Sequence, residues 1–542
     1  MNGLMMDTQL SIASILQHAE KVHRDAEIIS RKPEGGIFRY TYGEAAKRAR
    51  KAANVLTRLG VQQQDCVATL AWNTHRHYEL YFAVSGSGAI LHTVNPRLFP
   101  EQIIYIFNHA EDAVLFLDIQ FVPLIEAVID HLPKLKHIVL MVDKDSMPES
   151  KLDLLCYEEL IAEQPSEFDW PEFDEYTASS LCYTSGTTGN PKGVLYSHRS
   201  TLLHAFSVLT VPGINLGEGS VVLPVVPMFH VNAWGVPYAA PIVGAKIVFP
   251  GPKLDGESLA ELINSERVTE AWGVPTVWLG LLAHMRKTGQ TFSSLKRVLI
   301  GGSAAPLAMM REFQEKYGVE ALQGWGMTEM SPIGTVSRIR PKDAGLPLDQ
   351  QLRIKAKQGR AVFGVEMKIV NEDGDALPHD GKSFGELLVR GPAIVSAYYE
   401  NPEASAKAFD REGWFRTGDV CRIDPEGYME IVDRTKDVIK SGGEWISSID
   451  LENEAVGHPD IAEAAVIAVH HPKWDERPLL VVVRKPGSEV DKQGVIDYLS
   501  QRIAKWWLPD DVIFVDELPH GATGKLQKAR LREQFKDYRL PG

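Results

Sequence analysis

Residues 181–193, with the sequence LCYTSGTTGNPKG, combine three glycines, four hydroxyl side chains and one lysine. Glycine permits tight backbone turns, and successive N–H groups in such a turn form a concavity that binds anions. The hydroxyls add hydrogen-bond donors and the lysine adds positive charge, so the segment is predicted to bind a polyphosphate. The Pro-Lys-Gly ending and the apolar flanks disfavour a flexible linker, and the spacing differs from the Walker pattern.

Four further stretches offer groups that a bound nucleotide needs. Residues 323–329 (QGWGMTE) place an aromatic ring, which can stack on a purine, before Glu329, whose carboxylate can hold a phosphate-bound magnesium ion. Asp419 lies on a tight turn and suits ribose hydroxyls, residues 433–445 combine charges with a Gly-Gly turn, and Lys525 lies on a Gly-rich loop. Each stretch alone is compatible with a solvated turn, whereas their combination indicates a nucleotide site.

The composition limits the class of protein. The chain has 542 residues, of which 44% are hydrophobic and 24% charged, as expected for a globular protein of several domains or subdomains. A net charge of −14 disfavours nucleic acid and anionic membranes as partners. The four scattered cysteines favour a reducing compartment and disfavour structural zinc. With no secretory signal, membrane-spanning run or peroxisomal address in the sequence, we expect a cytoplasmic location.

Alternating strand and helix patterns before about residue 360 predict parallel α/β units, whose strand ends usually carry the ligand contacts. Segment 143–179 is acidic and is predicted to be a connecting loop with one short helix near 157–163. Residues 221–235 predict a buried strand, a Pro-broken turn and a helix, with Trp234 one helical turn after His230. The other predicted elements are helices over 8–24, 38–60, 74–88, 197–210 and 256–264 and a strand over 65–72.

The pattern changes in the last third of the chain. Short alternating strands from about residue 360 to 433 predict a small β-barrel-like subdomain, and the residues beyond 434 predict a small α+β domain. The fold class is therefore α/β, with a large N-terminal domain and a small C-terminal domain. We place the boundary between residues 435 and 436, which gives domains of residues 1–435 and 436–542.

Five motifs together resemble the adenylate-forming superfamily, which includes acyl-CoA synthetases, peptide-synthetase adenylation domains and beetle luciferases. They are YTSGTTGNPKG (183–193), GWGMTEM (324–330), WFRTGD (414–419), DRTKDVIKSGGEWIS (433–447) and GATGKLQK (521–528). The stretches YSHRS (196–200), PMFHVNAWG (227–235) and KSGGEWIS (440–447) are further similar to bacterial medium-chain acyl-CoA ligases and 3-methylmercaptopropionate-CoA ligases.

The resemblance implies a two-step reaction with ATP, Mg²⁺ and coenzyme A. A carboxylate attacks the α-phosphate of ATP to give acyl-AMP and pyrophosphate, and the thiol of coenzyme A then attacks the acyl carbon and releases AMP. Electrostatic stabilisation of the phosphorus centre by fixed cations and N–H donors is the expected main effect.

The resemblance also assigns ATP-site residues. Lys525 is the expected catalytic lysine, which bridges the substrate carboxylate and the α-phosphate. Glu329 and Thr184 are the expected metal ligands and are also counted as catalytic. The remaining ATP and AMP contacts are expected at Ser185, Gly186, Thr187, Thr188, Gly189, Lys192, Gly302, Ser303, Gly324, Trp325, Gly326, Met327, Thr328, Asp419 and Arg434.

The acyl and coenzyme A sites follow from the same comparison. His230 is expected to act between the two steps, and a bulky Trp234 favours a short or medium acyl chain. An apolar acid such as a medium-chain fatty acid or 3-methylmercaptopropionate fits this set. The acyl pocket is expected at His230, Val231, Trp234, Gly301, Gly302, Pro332 and Ile333. Coenzyme A is expected at Lys440, Ser441, Gly442, Gly443, Glu444 and Trp445.

Lys436 stands where the family has its hinge, so the resemblance implies a mobile C-terminal domain that presents Lys525 in one step and Lys440 to Trp445 in the other. Two alternatives stay open: an adenylation enzyme that loads a carrier protein, and a non-catalytic adenylate-binding sensor. A homodimer is expected from the family and from the prevalence of two-fold assemblies.

Overall fold

The computed structural model describes residues 1, 3–184, 190–211, 214, 216–442, 444–519 and 526–540. These residues form two compact units. The first contains the described residues within 1–366 and 390–409, and the second contains those within 367–389 and 410–540. The predicted boundary between residues 435 and 436 falls inside the second unit and stays a prediction.

The first unit contains sixteen strands among its described residues. In chain order they are β1 (Glu27–Arg31), β2 (Ile37–Thr41), β3 (Cys66–Leu70), β4 (Ile90–Thr93), β5 (Val114–Leu117), β6 (His137–Leu140), β7 (Leu154–Cys156), β8 (Ala178–Tyr183), β9 (Gly193–Ser197), β10 (Val221–Pro224), β11 (Lys246–Phe249), β12 (Glu270–Gly273), β13 (Arg297–Ile300), β14 (Glu320–Gly326), β15 (Ile333–Ser337) and β16 (Arg360–Ala361).

These strands make two sheets. The nine-stranded sheet has the order β16-β15-β14-β13-β12-β10-β11-β1-β2, with a parallel centre and antiparallel pairs at both edges. The seven-stranded sheet has the order β7-β6-β5-β3-β4-β8-β9 and is parallel except for the pair β8–β9. The carboxyl ends of β8, β10, β13 and β14 lead directly into the predicted site residues.

Thirteen helices connect and cover these strands among the described residues. They are α1 (Ile12–Val22), α2 (Tyr42–Arg58), α3 (His75–Gly86), α4 (Pro100–Ala110), α5 (Val122–Val128), α6 (Tyr157–Ala162), α7 (His198–Thr210), α8 (Val236–Ile242), α9 (Gly256–Ser265), α10 (Pro275–Thr288), α11 (Leu307–Tyr317), α12 (Leu348–Lys355) and α13 (Pro402–Ala408). Apolar side chains from α9, α10 and α11 form one core, which contains the fully buried Trp278 and Phe313.

Local sequence signals account for several of these helices. Thr41 caps α2 with its hydroxyl, which accepts a hydrogen bond from Glu44 N (3.3 Å), while the Glu44 carboxylate accepts one from Thr41 N (2.8 Å). The predicted helices over 38–60, 74–88, 197–210 and 256–264 are confirmed with shifted ends, and the one over 8–24 is shorter. The loop predicted over 143–179 contains its short helix α6, but the strand β7 was missed because a three-residue edge strand shows no periodicity.

The second unit contains nine strands and three helices among its described residues. They are β17 (Glu366–Val370), β18 (Phe384–Arg390), β19 (Phe415–Ile423), β20 (Met429–Arg434), β21 (Ile439–Ser441), β22 (Glu444–Ile446), β23 (Ile461–His471), β24 (Asp475–Arg484), β25 (Asp511–Phe514), α14 (Ser448–Val456), α15 (Lys492–Ser500) and α16 (Lys528–Gln534).

The four-stranded sheet β17-β18-β19-β20 corresponds to the predicted small β subdomain. The other sheet has the order β22-β21-β24-β23, with β25 paired to β24. Leu480 and Val482 of β24 contribute to a core that also contains α14 and α15 residues, whereas Leu479 and Val481 contribute to a core with α16. Because alternate residues point to opposite faces, the sheet is covered on both sides, as predicted for an α+β domain.

Candidate active site

The predicted polyphosphate loop is closed at its base like a hairpin. Thr184 N donates a hydrogen bond to Lys192 O (2.9 Å), and Lys192 N donates one to Thr184 Oγ1 (3.3 Å). Tyr183 and Gly193, at the facing ends of β8 and β9, pair directly below it. The predicted contacts Ser185, Gly186, Thr187, Thr188 and Gly189 lie outside the described residues, so the structure fixes only the ends of this loop.

Thr328 and Glu329 lie on a one-turn 3₁₀ helix that follows β14. Both side chains are buried. Tyr196 on β9 donates a hydrogen bond from its hydroxyl to Thr328 O (2.5 Å). Glu329 O accepts a hydrogen bond from Val395 N (2.8 Å), and Glu329 Oε1 accepts one from the Tyr398 hydroxyl (2.8 Å). The metal-ligand candidate Glu329 is therefore fixed through both its backbone and its side chain.

The predicted adenine contacts lie where β13 and β14 end side by side. A Cβ added to Gly301 would lie 3.2 Å from Gly324 O, so the two glycines bring these backbones close together. Gly302 has a φ of +82° and Ser303 follows it in the same loop. The Trp325 indole is buried. A Cβ on Gly334 would lie 2.6 Å from Trp325 Cζ3, so one part of the ring packs on Gly334 in β15.

Gly326 has a structural requirement of its own. A Cβ at this position would lie 2.0 Å from Pro332 O, so no larger residue fits. Met327 N donates a hydrogen bond to Pro332 O (3.1 Å), which holds Pro332 next to the end of β14. The acyl candidate Pro332 and the nucleotide candidates Gly326 and Met327 thus share one tight turn.

The segment that carries His230 and Trp234 has an unexpected backbone. Val231, Asn232, Ala233 and Trp234 all have positive φ between 48° and 54° and form a left-handed turn before α8. The prediction of a right-handed helical turn between His230 and Trp234 is wrong. Left-handed conformations of non-glycine residues cost energy, and they persist where surrounding contacts enforce them.

The left-handed turn directs Trp234 at the glycine loop after β13. A Cβ added to Gly301 would lie 2.7 Å from Trp234 Cη2, so the indole packs on the bare backbone of Gly301. Val231 and Trp234 are buried, whereas His230 is partly exposed. The structure thus brings together three of the predicted acyl-pocket residues, Val231, Trp234 and Gly301. Pro332 lies in the turn after β14, and Ile333 begins β15.

Asn73 is a buried residue that the sequence analysis missed. Its Nδ2 donates hydrogen bonds to Pro224 O and Val226 O (both 2.8 Å), and its Oδ1 accepts one from Met228 N (2.6 Å). Asn73 follows β3 of the seven-stranded sheet, whereas its partners lie at the end of β10 of the nine-stranded sheet and just after it. A single asparagine therefore fixes the loop that leads to His230. An isolated Asn after a buried strand was the only sequence signal.

A second set of buried contacts holds the left-handed turn itself. The Tyr81 hydroxyl donates to Met228 O (2.5 Å), and Asn232 Nδ2 donates to Ser180 Oγ (3.1 Å). Asn232 Oδ1 also lies 3.3 Å from the Tyr81 hydroxyl. Tyr81 lies on α3 and Ser180 lies on β8. These tertiary contacts stabilise the left-handed backbone of residues 231–234.

His204 on α7 holds the start of β15 through a hydrogen bond. Its Nε2 accepts a hydrogen bond from Ile333 N (3.1 Å), and burial lowers the pKa of His204 to about 3. The acceptor role requires a neutral ring, which agrees with the direction of this shift. In the unfolded chain the pKa of the His204 ring is ~6.5, so below that pH the unfolded state binds a proton that the folded state does not.

We expect the His204 contribution to be complete above about pH 6.5 and to be lost as the pH falls towards about 3. His204→Gln keeps an acceptor for Ile333 N and should therefore reduce the pH dependence of the free energy of unfolding by up to ~1.4 kcal/mol per pH unit between about pH 4 and 6. Denaturant titrations at several pH values measure this slope. A variant with the wild-type slope would show that His204 is not neutral in the folded state.

In the second unit, the predicted ribose contacts are neighbours. Asp419 on β19 pairs with Arg434 on β20, and Arg434 Nε lies 2.8 Å from Asp419 Oδ1. Asp419 is buried, whereas nearly half of the Arg434 side chain is exposed. Lys436, the predicted hinge residue, is exposed, and partial desolvation lowers its pKa.

The predicted coenzyme A residues lie around the hairpin of β21 and β22. Lys440 Nζ donates a hydrogen bond to Glu372 and lies 5.6 Å from the ring centroid of Trp445. Gly442 has a φ of +59° and donates from its N–H to Trp474 O (2.8 Å). Ser441 is buried. Gly443, the side chain of Glu444 and the predicted catalytic Lys525 lie outside the described residues.

Residues 16–399 match the AMP-binding enzyme family, and residues 450–525 match the AMP-binding enzyme C-terminal domain. The chain therefore belongs to the family of AMP-binding enzymes. The resemblance to adenylate-forming enzymes and the predicted α/β fold class are confirmed. Within the part of the chain that the structure describes, no helix has the length and apolar character to cross a membrane.

Full-length relatives are similar to this chain along nearly all of it. It is 52% identical over 538 residues to the 3-methylmercaptopropionyl-CoA ligase of Ruegeria lacuscaerulensis, covering 99% of each chain. It is 50% identical over 541 residues to the medium-chain-fatty-acid–CoA ligase of Ectopseudomonas oleovorans, covering 100% of this chain and 98% of that one. The crystal structure of the anthranilate CoA ligase AuaEII with anthranoyl-AMP is similar with a TM-score of 0.84, 27% identity and 98% coverage of both chains.

Proposed function

We propose that this chain is an ATP-dependent acid–CoA ligase of the AMP-forming type. One observation carries the proposal: residues at both ends of the proposed ATP site contact the side chain of Tyr398. Lys192 Nζ, at the end of the polyphosphate loop, lies 4.8 Å from its ring centroid, and its hydroxyl donates to Glu329. The relatives named as CoA ligases support the same reaction.

The reaction has two half-reactions with a shared nucleotide. In the first, a carboxylate oxygen of the acid attacks the α-phosphorus of ATP, the bond to the β-phosphate oxygen breaks, and pyrophosphate leaves with the electron pair. In the second, the thiol sulfur of coenzyme A attacks the acyl carbon, loses its proton, and AMP leaves. ATP and coenzyme A are therefore substrates of this enzyme.

The donor chemistry at Glu329 and Thr184 fits a magnesium ion. They offer a carboxylate and a hydroxyl oxygen, and Mg²⁺ prefers oxygen ligands from one or two protein groups together with substrate phosphates and water. When bound, the ion would offset the charge of the phosphate oxygens. The chain's own contribution is Lys192 at the loop base, Thr328 on its fixed turn and, as proposed from the sequence, Lys525.

The acid substrate is proposed to be apolar and of short to medium length. The residues proposed to line its pocket include the buried Val231 and Trp234, and the indole of Trp234 occupies the space beside Gly301. No charged side chain belongs to this proposed set, so an acid with a second charge finds no partner in it. A medium-chain fatty acid and 3-methylmercaptopropionate both satisfy these conditions.

The chain-length dependence of kcat/KM tests the proposed role of Trp234. Each accommodated methylene should raise kcat/KM about fourfold, because burying it yields ~0.8 kcal/mol, until the acid reaches the indole. Trp234→Leu should move the optimum to longer acids. The panel contains straight-chain acids from butyrate upwards and 3-methylmercaptopropionate. A wild-type rise that continues to long-chain acids, or an unchanged optimum in the variant, would contradict a stop at Trp234.

Two other functions remain to be separated by experiment. A carrier-loading enzyme also forms acyl-AMP but does not pass the acyl group to free coenzyme A, and a sensor binds adenylate without turnover. ATP–pyrophosphate exchange that depends on an added acid excludes the sensor. Thioester formation with free coenzyme A then excludes the carrier-loading enzyme. Absence of both activities with all acids of the panel would refute the proposal.

A cytoplasmic location and a homodimer complete the proposal. The four cysteines, Cys66, Cys156, Cys182 and Cys421, are free and buried, which agrees with a reducing compartment. The homodimer rests on the family resemblance and on the frequency of two-fold assemblies. Light scattering of the purified protein measures the mass, and a monomer at micromolar concentration would refute the dimer.

A further inference from the structure

The segment of residues 393–398 links Glu329 to the base of the polyphosphate loop. Ser331 Oγ donates a hydrogen bond to Ala393 O (2.8 Å), and Val395 N donates one to Glu329 O (2.8 Å). Three residues further on, the Tyr398 hydroxyl donates to Glu329 Oε1 (2.8 Å). The segment therefore holds both the backbone and the carboxylate of Glu329.

Tyr398 is itself rigidly held. Its side chain is buried, and its N–H donates a hydrogen bond to Ser405 Oγ (2.9 Å). The hydroxyl is therefore held in place as a donor to Glu329 Oε1.

The two ends of the Tyr398 side chain contact groups of opposite charge. Its hydroxyl contacts the carboxylate of Glu329, and its ring lies under the ammonium group of Lys192, 4.8 Å from the ring centroid. A ring face attracts a cation, and a hydroxyl is a good donor to a carboxylate. Because the phenol is neutral, it contacts the Glu329 carboxylate and the Lys192 ammonium group without neutralising either of them.

We propose that Tyr398 is a positioning residue for the magnesium–ATP complex, which sets the Glu329 carboxylate and the Lys192 ammonium group relative to each other. This inference rests on the proposed function, because it assumes that Glu329 meets the metal and Lys192 the phosphates. The Tyr398 hydroxyl orients the carboxylate that meets the metal, and the Tyr398 ring orients the ammonium group that meets the phosphates. The two contributions can therefore be removed separately.

The variants Tyr398→Phe and Tyr398→Leu separate these contributions. Tyr398→Phe removes only the hydroxyl, whereas Tyr398→Leu also removes the ring beneath Lys192. Tyr399→Phe is the matched control, because it removes the neighbouring hydroxyl, which makes no hydrogen bond to any residue that the structure describes. The readout is calorimetric binding of ATP in the absence of an acid, once with excess Mg²⁺ and once with a chelator, together with the melting temperature of each variant.

For Tyr398→Phe, we expect the affinity for ATP with Mg²⁺ to fall about 10- to 100-fold, which is the usual effect of losing a hydrogen bond to a charged group. The affinity for metal-free ATP should stay within about twofold of wild type. Tyr398→Leu should weaken metal-free ATP binding as well, because Lys192 loses its ring contact. Tyr399→Phe should bind like wild type in both conditions.

Several results would overturn the inference. An unchanged ratio of metal-free to magnesium-bound ATP affinity in Tyr398→Phe, with or without a lower melting temperature, would leave Tyr398 a purely structural residue. If the wild type shows acid-dependent exchange and this ratio is unchanged, only the inference fails. If the wild type binds no ATP in either condition, the proposed function fails together with it.

Discussion

Lys525→Ala is expected to lower acid-dependent ATP–pyrophosphate exchange by about 10²- to 10³-fold, while thioester formation from supplied acyl-AMP stays within a few-fold of wild type. The attacking carboxylate and the α-phosphate are both anions, and the first half-reaction needs a cation between them. Removal of one fixed group that stabilises developing charge typically lowers kcat by about two to three orders of magnitude. The second half-reaction attacks an acyl carbon and not phosphorus, so it needs this lysine less.

The two half-reactions are measured separately on the same preparation. Exchange is followed with labelled pyrophosphate, and thioester formation is followed with synthetic acyl-AMP and coenzyme A. Lys528→Ala is a useful comparison, because Lys528 Nζ pairs with Glu452 Oε1 (2.6 Å) inside the second unit and is not proposed to touch ATP. An equal loss of both half-reactions in Lys525→Ala would contradict the role proposed for Lys525.

Asn73→Ala is expected to produce the second large effect. It leaves three backbone groups, Pro224 O, Val226 O and Met228 N, without their partner. A buried polar group that loses its hydrogen bond costs ~1–3 kcal/mol, so the free energy of unfolding should fall by about 3 kcal/mol or more. The loop that leads to His230 should also lose its fixed position, which raises KM for the acid.

The comparison of two KM values separates positioning from general destabilisation. The contacts that hold Glu329 and Lys192 do not include Asn73, so KM for ATP should stay within about twofold while KM for the acid rises about tenfold or more. Asn264→Ala is the matched control, because Asn264 also makes three hydrogen bonds, to Thr291 O, Ser293 N and Ser293 Oγ, but is only partly buried. An equal rise in both KM values would assign Asn73 a purely structural role. Asn73→Ser, which keeps a neutral side chain that can donate and accept, repeats the test if the alanine variant does not fold.

The regular elements of the fold could be predicted from local sequence signals. The capping pair Thr41 and Glu44 and the apolar periodicity of α2 are contained in neighbouring residues, and so is the hydroxyl of Ser197 that caps α7. A polyphosphate loop could also be proposed from the sequence, because the residues that suggest it lie within thirteen consecutive positions. Such signals need no knowledge of tertiary contacts.

The left-handed turn at residues 231–234 could not be predicted in this way. None of its four residues is glycine, and its conformation is enforced by Tyr81 and Ser180, which are distant in sequence. Asn73 and Tyr398 were missed for the same reason. Their importance comes from partners more than a hundred residues away for Asn73 and 69 residues away for Tyr398 and Glu329. A single polar residue in a loop gives no local sign of such a role.

The identity of the nucleotide product tests the central claim most directly. The purified chain is incubated with octanoate or 3-methylmercaptopropionate, coenzyme A, ATP and Mg²⁺, and nucleotides and thioester are quantified by chromatography. We expect one AMP and one pyrophosphate for each thioester formed, and no nucleotide turnover without an acid. Formation of ADP and phosphate together with the thioester would contradict an acyl-adenylate route.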